Sequence, residues 1–278
     1  MRAVGIIFSN IHDDAVPELV RERTLGSIPF GGRYRLIDFP LSNMVNSGID
    51  TVGIITKSNY QSLMDHVGSG KDWDLARKDG GLIILPPYGN SERSNLYNTR
   101  LEALKGITNF ISRADEEYVV MTDCDAVCRI DYNEIIEFHI KNHADITMVY
   151  NKRALAPQEE ATAIEIENGR VVGINFKPST DGAKENICSN IFIMKRQLLY
   201  KIVTDSISHN KIHFFADVIQ SELNAMKIMA FEHKGFYASI SSLQSYYNSN
   251  LALLKEKNRE ELFGDRSVFT KIRDSAPT

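Results

Sequence analysis

Leu41-Ser42-Asn43-Met44-Val45-Asn46-Ser47-Gly48-Ile49-Asp50-Thr51-Val52-Gly53-Ile54-Ile55-Thr56 is the stretch that decides how the chain is read. Residues 41–46 suit a helix, and Gly48 suits its end, because glycine takes the left-handed turn that closes a helix without steric cost. Residues 51–56 are then a short apolar run of the kind that forms a strand buried on both faces. Upstream, residues 3–8 are a second such run, so the helix joins two strands in a β-α-β unit. Downstream the rhythm continues with a strand over 82–85, a helix over 101–111, a strand over 118–121, a helix over 132–142 and a strand over 145–150. Alternation of this kind predicts a mixed, mostly parallel sheet flanked by helices, the α/β class with Rossmann-like order. After Lys152 the pattern changes. Residues 163–166 and 171–176 flank Glu167-Asn168-Gly169-Arg170, and Asn-Gly favours the tight turn of a β-hairpin, so a hairpin is inserted into the α/β region. A strand over 186–194 and helices over 197–204, 215–226 and 243–262 complete the expected elements.

The 278 residues, 43% hydrophobic and 24% charged, suffice for one large core or a core with a smaller lobe. With a net charge of −4, and Lys and Arg scattered among Asp and Glu, there is no electrostatic footprint for nucleic acid. The apolar runs are far shorter than the roughly 20 residues of a membrane-spanning helix. The start, Met1-Arg2-Ala3-Val4, enters a run too short for a secretory signal. A cytoplasmic protein with no nucleic-acid or membrane partner is expected. Cys124, Cys128 and Cys188 are an odd number without zinc-ligand spacing, and are expected to be reduced and buried.

In open parallel sheets ligands sit beyond the carboxyl ends of the strands. Three places qualify: Ser9 onward, residues 122–125, and Lys177-Pro178 beyond the hairpin. At Met121-Thr122-Asp123-Cys124-Asp125 two carboxylates follow a buried strand, with Asp131 a little further on. Mg²⁺ takes one or two such hard oxygens together with water and phosphate, which makes Asp125 a candidate metal ligand. For Asp123 and Asp131 a solvated or helix-capping carboxylate is the stronger reading.

The stretch Ile28-Pro29-Phe30-Gly31-Gly32-Arg33-Tyr34-Arg35-Leu36-Ile37-Asp38-Phe39-Pro40-Leu41-Ser42-Asn43 resembles PFGGKYRIIDFPLSN of the glucose-1-phosphate adenylyltransferases. The likeness continues through Ile49. Residues 125–132 are similar to DHIYKMDY, Phe176-Lys177-Pro178 to EKP, residues 97–104 to YRGTADAV and residues 246–254 to YWKANLDLL, so the resemblance covers essentially the whole chain. It implies a Rossmann-like nucleotide-sugar transferase fold that joins ATP to glucose 1-phosphate and releases pyrophosphate, followed by a left-handed β-helix. On that basis residues 1–265 form a nucleotidyltransferase-like domain, and 266–278 begin a linker to a β-helix domain absent from this chain.

Several positions depart from the family. Where a GGxGxRL loop would close backbone N–H groups on the triphosphate, this chain has Phe8-Ser9-Asn10-Ile11-His12-Asp13-Asp14-Ala15, with Asn10 in place of a glycine-rich turn and no arginine. Leu25 stands where the family has Lys, Phe176 where it has the Glu of EKP, Phe214 where it has the Asp of HDFG, and Ser239 near the Asp of RDVGT. Losing one preorganised charge contact commonly costs about 10²- to 10³-fold in turnover, so little activity is expected. Asp125 and Lys177 persist at the metal and glucose-1-phosphate positions, Tyr97 at a sugar-phosphate contact, and Cys188 in place of a Ser near the sugar. Arg33 and Arg35 fall near the family's effector region, although ion pairs with acidic neighbours explain them more simply. The pattern resembles the D-type subunit that accompanies a catalytic C-type subunit in some bacteria. The resemblance therefore implies a catalytically deficient regulatory subunit of glycogen biosynthesis, with the C-type subunit as partner and Mg²⁺ at Asp125 as the one cofactor. The alternatives are a weakly active nucleotidyltransferase in its own right, or a sensor of glucose 1-phosphate or another sugar phosphate.

Overall fold

The computed structural model describes residues 2–87, 97–156 and 159–272. Its strands are β1 (Ala3–Phe8), β2 (Pro29–Phe30), β3 (Tyr34–Arg35), β4 (Thr51–Ile55), β5 (Gly81–Leu85), β6 (Tyr118–Asp123), β7 (Ala126–Cys128), β8 (Ile146–Arg153), β9 (Ala163–Glu167), β10 (Arg170–Asn175), β11 (Glu185–Lys195), β12 (Ile228–Glu232) and β13 (Tyr237–Ser239). Nine of them make one sheet in the order β5-β4-β1-β6-β11-β8-β12-β10-β9.

Every residue of β1 is buried, as the uninterrupted apolar run requires. Its side chains alternate between two cores. Val4, Ile6 and Phe8 pack with Leu101, Leu104, Leu199 and Val203 on one face. Ala3 and Ile7 pack with Leu41, Met44, Leu63 and Ile135 on the other. This is the period of two that a pleated strand imposes, and it places helices on both faces of the sheet.

The sheet is mixed, as expected, with its parallel part confined to one half and to the β12–β8 pair. Neighbours within β5-β4-β1-β6 are parallel, as are β12 and β8, but the other pairings are antiparallel. Apolar runs report burial and carry no strand direction. The extra pairing of Ile187 in β11 with Ala163 in β9 closes the far half of the sheet into a small barrel. The hairpin stands as expected: Asn168 and Gly169 both have positive φ, 50° and 78°, as a type I′ turn demands.

Four helices differ from their sequence pattern. The element expected over 101–111 is two helices, Arg100–Gly106 and Thr108–Arg113. That expected over 243–262 breaks into Leu243–Ala252 and Glu256–Phe263, and the one over 215–226 is a π-helical stretch, Phe214–Gln220. The helix over 41–46 begins earlier and is Asp38–Asn46. Past residue 265, Arg266 pairs with Asp131, and the Phe269 amide donates to Ser42 Oγ at 2.8 Å, so the chain lies against the domain there. Residues 273–278 of the expected linker lie outside the described residues. All three cysteines are free and buried. Among the described residues no helix is long and apolar enough to cross a membrane.

Candidate functional site

β1 and β6 run side by side in the same direction, with Phe8 paired to Asp123 at their carboxyl ends. β6 extends past Met121, where the apolar run ends, because the ladder to β1 continues through Thr122 and Asp123. Alternation along β6 then turns Asp123 to the same face as Val119 and Met121.

The loop after β1 is tied down at once. Ser9 donates to the Ile55 carbonyl from both its amide, at 3.1 Å, and its hydroxyl, at 2.9 Å. Three residues on, His12 Nε2 lies 2.7 Å from Asp123 Oδ2. Asp13 Oδ1 accepts the Leu25 amide at 2.9 Å. From the opposite side comes Arg100, the first residue of its helix, which starts there because Thr99 and Glu102 form a capping box. The Arg100 side chain is 6% exposed and pairs with Asp123, itself 1% exposed. Its guanidinium lies 5.3 Å, 5.4 Å and 5.9 Å from the ring centres of Phe8, Phe192 and Phe215. A desolvated cation among aromatic rings gains from their quadrupoles, so aromatic walls and a carboxylate together hold this arginine inside.

The cluster sets its own protonation. Burial opposes ionisation of Asp123, but the Arg100 and His12 charges outweigh it and hold the carboxyl below its ordinary range. Burial pushes Asp125 up, against the pull of His12. Burial also works against a charged His12, yet the Asp125 and Asp123 carboxylates raise its ring to about 9. Burial lifts Asp13 to about 6.

A triphosphate placed at these strand ends would meet Asp13, Asp123 and Asp125 at close range, with Arg100 already committed. Of the loop's amides, those of Ala15 and Val16 are spent on the His12 and Asp13 carbonyls, at 3.1 Å and 3.2 Å. A cation is the better fit. Asp123 Oδ1 and Asp125 Oδ1 are buried with no partner among the described residues. With His12 these two residues bring ligand atoms within 4.8 Å of one another.

The residues singled out in the sequence divide between this cluster and its surroundings. Asp125 lies in it, with its carbonyl accepting the Ile240 amide at 2.8 Å. Ser239 is close by, opposite Ala126 in the β13–β7 pair. Tyr97 donates to Asn10 Oδ1 at 2.8 Å, and burial pushes its phenol up. Leu25 is buried. Cys188, on β11, is buried near enough for the Arg100, Asp123 and Asp125 charges to act on it, and burial raises its thiol to about 12. Phe176 and Phe214 line a cavity of about 400 Å³ with Ile11, Thr99, Arg100 and His213. Lys177 stands exposed on the loop after β10.

Arg33 is exposed, with its guanidinium 5.4 Å from the Tyr34 ring centre. Arg35 donates to the Ser62 carbonyl at 2.6 Å and hydroxyl at 2.9 Å, which fixes the hairpin to the helix Gln61–Val67. Asp131 caps its helix by accepting the Asn133 amide at 3.0 Å, as the structural reading held. The same reading of Asp123 is corrected, since it is the centre of a buried ion cluster. Sequence reasoning passed over His12 and Arg100. Their signals were a histidine in a loop expected to hold glycines and an arginine heading an apolar helix.

The model of the nucleotidyl transferase family matches residues 18–256, beginning just past the loop that carries His12. A glucose-1-phosphate adenylyltransferase of Clostridium botulinum is 33% identical over 265 residues, covering 93% of this chain and 68% of that protein. One from Clostridium beijerinckii is 31% identical over 280 residues, 99% of this chain and 72% of that protein. One from Thermotoga maritima is 37% identical over 237 residues, 82% of this chain and 55% of that protein. With matches of this extent, the chain belongs to the nucleotidyl transferase family and is a homologue of the glucose-1-phosphate adenylyltransferases.

Proposed function

We propose that this chain is a subunit of a cytoplasmic glucose-1-phosphate adenylyltransferase that makes little or no ADP-glucose itself and modulates a catalytic C-type subunit in glycogen biosynthesis. One observation carries this reading. The carboxyl ends of β1 and β6, where an open α/β sheet receives its ligand, are filled by the chain's own Arg100, Asp123 and His12. Breaking a buried ion pair by displacing one partner costs about 3–5 kcal/mol. A nucleotide that had to do so would bind roughly 10²- to 10⁴-fold more weakly.

The remaining candidates belong to the sugar-phosphate side. Tyr97, Lys177 and Cys188 are offered as contacts to glucose 1-phosphate, with Phe176 in place of an acidic contact. The test is ADP-glucose formation by a catalytic C-type subunit with and without this protein. A change in rate, substrate affinity or effector response on mixing is expected. Identical kinetics at saturating ratios would end the subunit reading.

A further inference from the structure

We propose that His12, Asp123 and Asp125 form a three-ligand site for a first-row transition cation, Mn²⁺ or Zn²⁺, which binds without nucleotide and clamps the loop after β1 onto the end of β6.

Each of the three residues presents a ligand atom, and all three atoms lie within 4.8 Å of one another. The second observation is independent of that proximity. Asp123 and Asp125 are 1% and 7% exposed, and each buries an Oδ1 with no partner among the described residues. A buried, unmet carboxylate oxygen costs free energy unless something cationic or protic meets it. Arg100 and His12 share Asp123 Oδ2 and leave Oδ1 to the site. His12 exposes 32% of its side chain, which gives an ion a way in and leaves a coordination position for water.

The donor set selects the ion. Mg²⁺ demands six oxygens in near-octahedral array and dehydrates reluctantly. One imidazole nitrogen with two carboxylates suits borderline cations, which accept four to six ligands of mixed type. Two carboxylates and the Arg100 guanidinium sum to −1, so a dication taking the place of the imidazolium proton leaves the cluster at +1. Donors at about 2.0–2.2 Å from one ion stand roughly 3.0–3.5 Å apart. His12 Nε2 therefore gives up its 2.7 Å hydrogen bond to Asp123 Oδ2 and turns to the ion that Oδ1 meets. His12 lies on a loop and can make that adjustment.

The site would add a metal clamp to a pocket already closed by Arg100. It extends the subunit reading without depending on it. The test uses chelator-stripped protein alone, without nucleotide or second subunit, so its failure leaves the mixing experiment intact. Mn²⁺ is titrated against the protein and free Mn²⁺ is followed by its electron paramagnetic resonance signal, with Zn²⁺ and Mg²⁺ as competitors. One Mn²⁺ per chain is expected, displaced readily by Zn²⁺ and poorly by Mg²⁺. His12→Ala, on a part-exposed loop, is expected to fold and to weaken Mn²⁺ by more than about tenfold. Asp125→Asn removes a carboxylate whose ionisation burial opposes, so it should raise the melting temperature of the metal-free protein while abolishing the further rise that Mn²⁺ produces in the wild type. Absence of one-to-one binding would overturn the proposal. So would binding indifferent to His12→Ala, or Mg²⁺ competing as well as Zn²⁺.

Discussion

Replacing Arg100 by Met tests whether the cluster at the strand ends is a closed ion pair. The methionine keeps an unbranched apolar stem among Phe8, Phe192 and Phe215, so packing is largely preserved. What is lost is the partner of Asp123, a carboxylate 1% exposed. Removing one member of a buried pair costs about 3–5 kcal/mol, and His12, still 2.7 Å from Asp123, keeps the cost near the lower end. At roughly 2–4 °C per kcal/mol for a domain of this size, a loss of about 3 kcal/mol lowers Tm by about 6–12 °C. The double variant Arg100→Met/Asp123→Asn removes the stranded charge and should regain most of that loss, giving a favourable coupling energy in a double-mutant cycle. Urea unfolding of the wild type, both single variants and the double variant measures it. If Arg100→Met costs less than about 1 kcal/mol, or the double variant is no more stable than Arg100→Met, the guanidinium is not committed to Asp123 and the reasoning fails.

Two further predictions concern the scaffold. His139 is buried, its Nδ1 is 2.8 Å from Thr147 Oγ1, and burial pushes its ring down to about 4 from 6.5. The folded value lies below the unfolded one, so the neutral ring's contribution is intact above pH 6.5 and is lost as pH falls towards 4, by up to about 3 kcal/mol. His139→Gln should therefore show a shallower fall in urea stability between pH 7.5 and 4.5 than the wild type; parallel slopes would contradict the assignment. A Cβ on Gly53 would lie 2.7 Å from Leu85 Cδ1 and 2.9 Å from the Phe110 ring, whereas one on Gly5 would meet the adaptable Met44 Sδ at 3.0 Å. Gly53→Ala should cost about 1–3 kcal/mol in urea unfolding and Gly5→Ala less, and the reverse order would mean that the packing of β4 is misplaced.

The parts of this fold legible in the sequence are those where one local cause suffices. β1 and β4 are buried on both faces, so they read as unbroken apolar runs. The β9–β10 turn reads from Asn168-Gly169, whose positive φ angles few other pairs supply cheaply. Strand direction in β8, β11 and β12 depends on long-range pairing, and no run of residues records it. Nor does any local pattern record the closure of β9 onto β11.

The site follows the same division. Asp125 could be picked out as a carboxylate after a buried strand, and the loss of the glycine loop could be read as a loss. What takes its place could not: His12 is 111 residues from Asp123 and Arg100 is 23 away. The parallel pairing of β1 with β6 brings His12 to Asp123, and the helix Arg100–Gly106 brings the arginine. One clue was available. Val119, Met121 and Asp123 share a face by simple alternation, and counting one step past the apolar run would have turned Asp123 inward rather than to solvent.

The central claim is that the chain's own side chains occupy the strand ends where the nucleotide would lie. Isothermal titration of the protein with ATP and Mg²⁺ tests it most directly. The account predicts no saturable binding, with any Kd weaker than about 1 mM, the upper end of ordinary enzyme affinities. One-to-one binding with a Kd below about 100 μM, abolished by Asp125→Asn, would show that nucleotide displaces Arg100 and His12 and would contradict it.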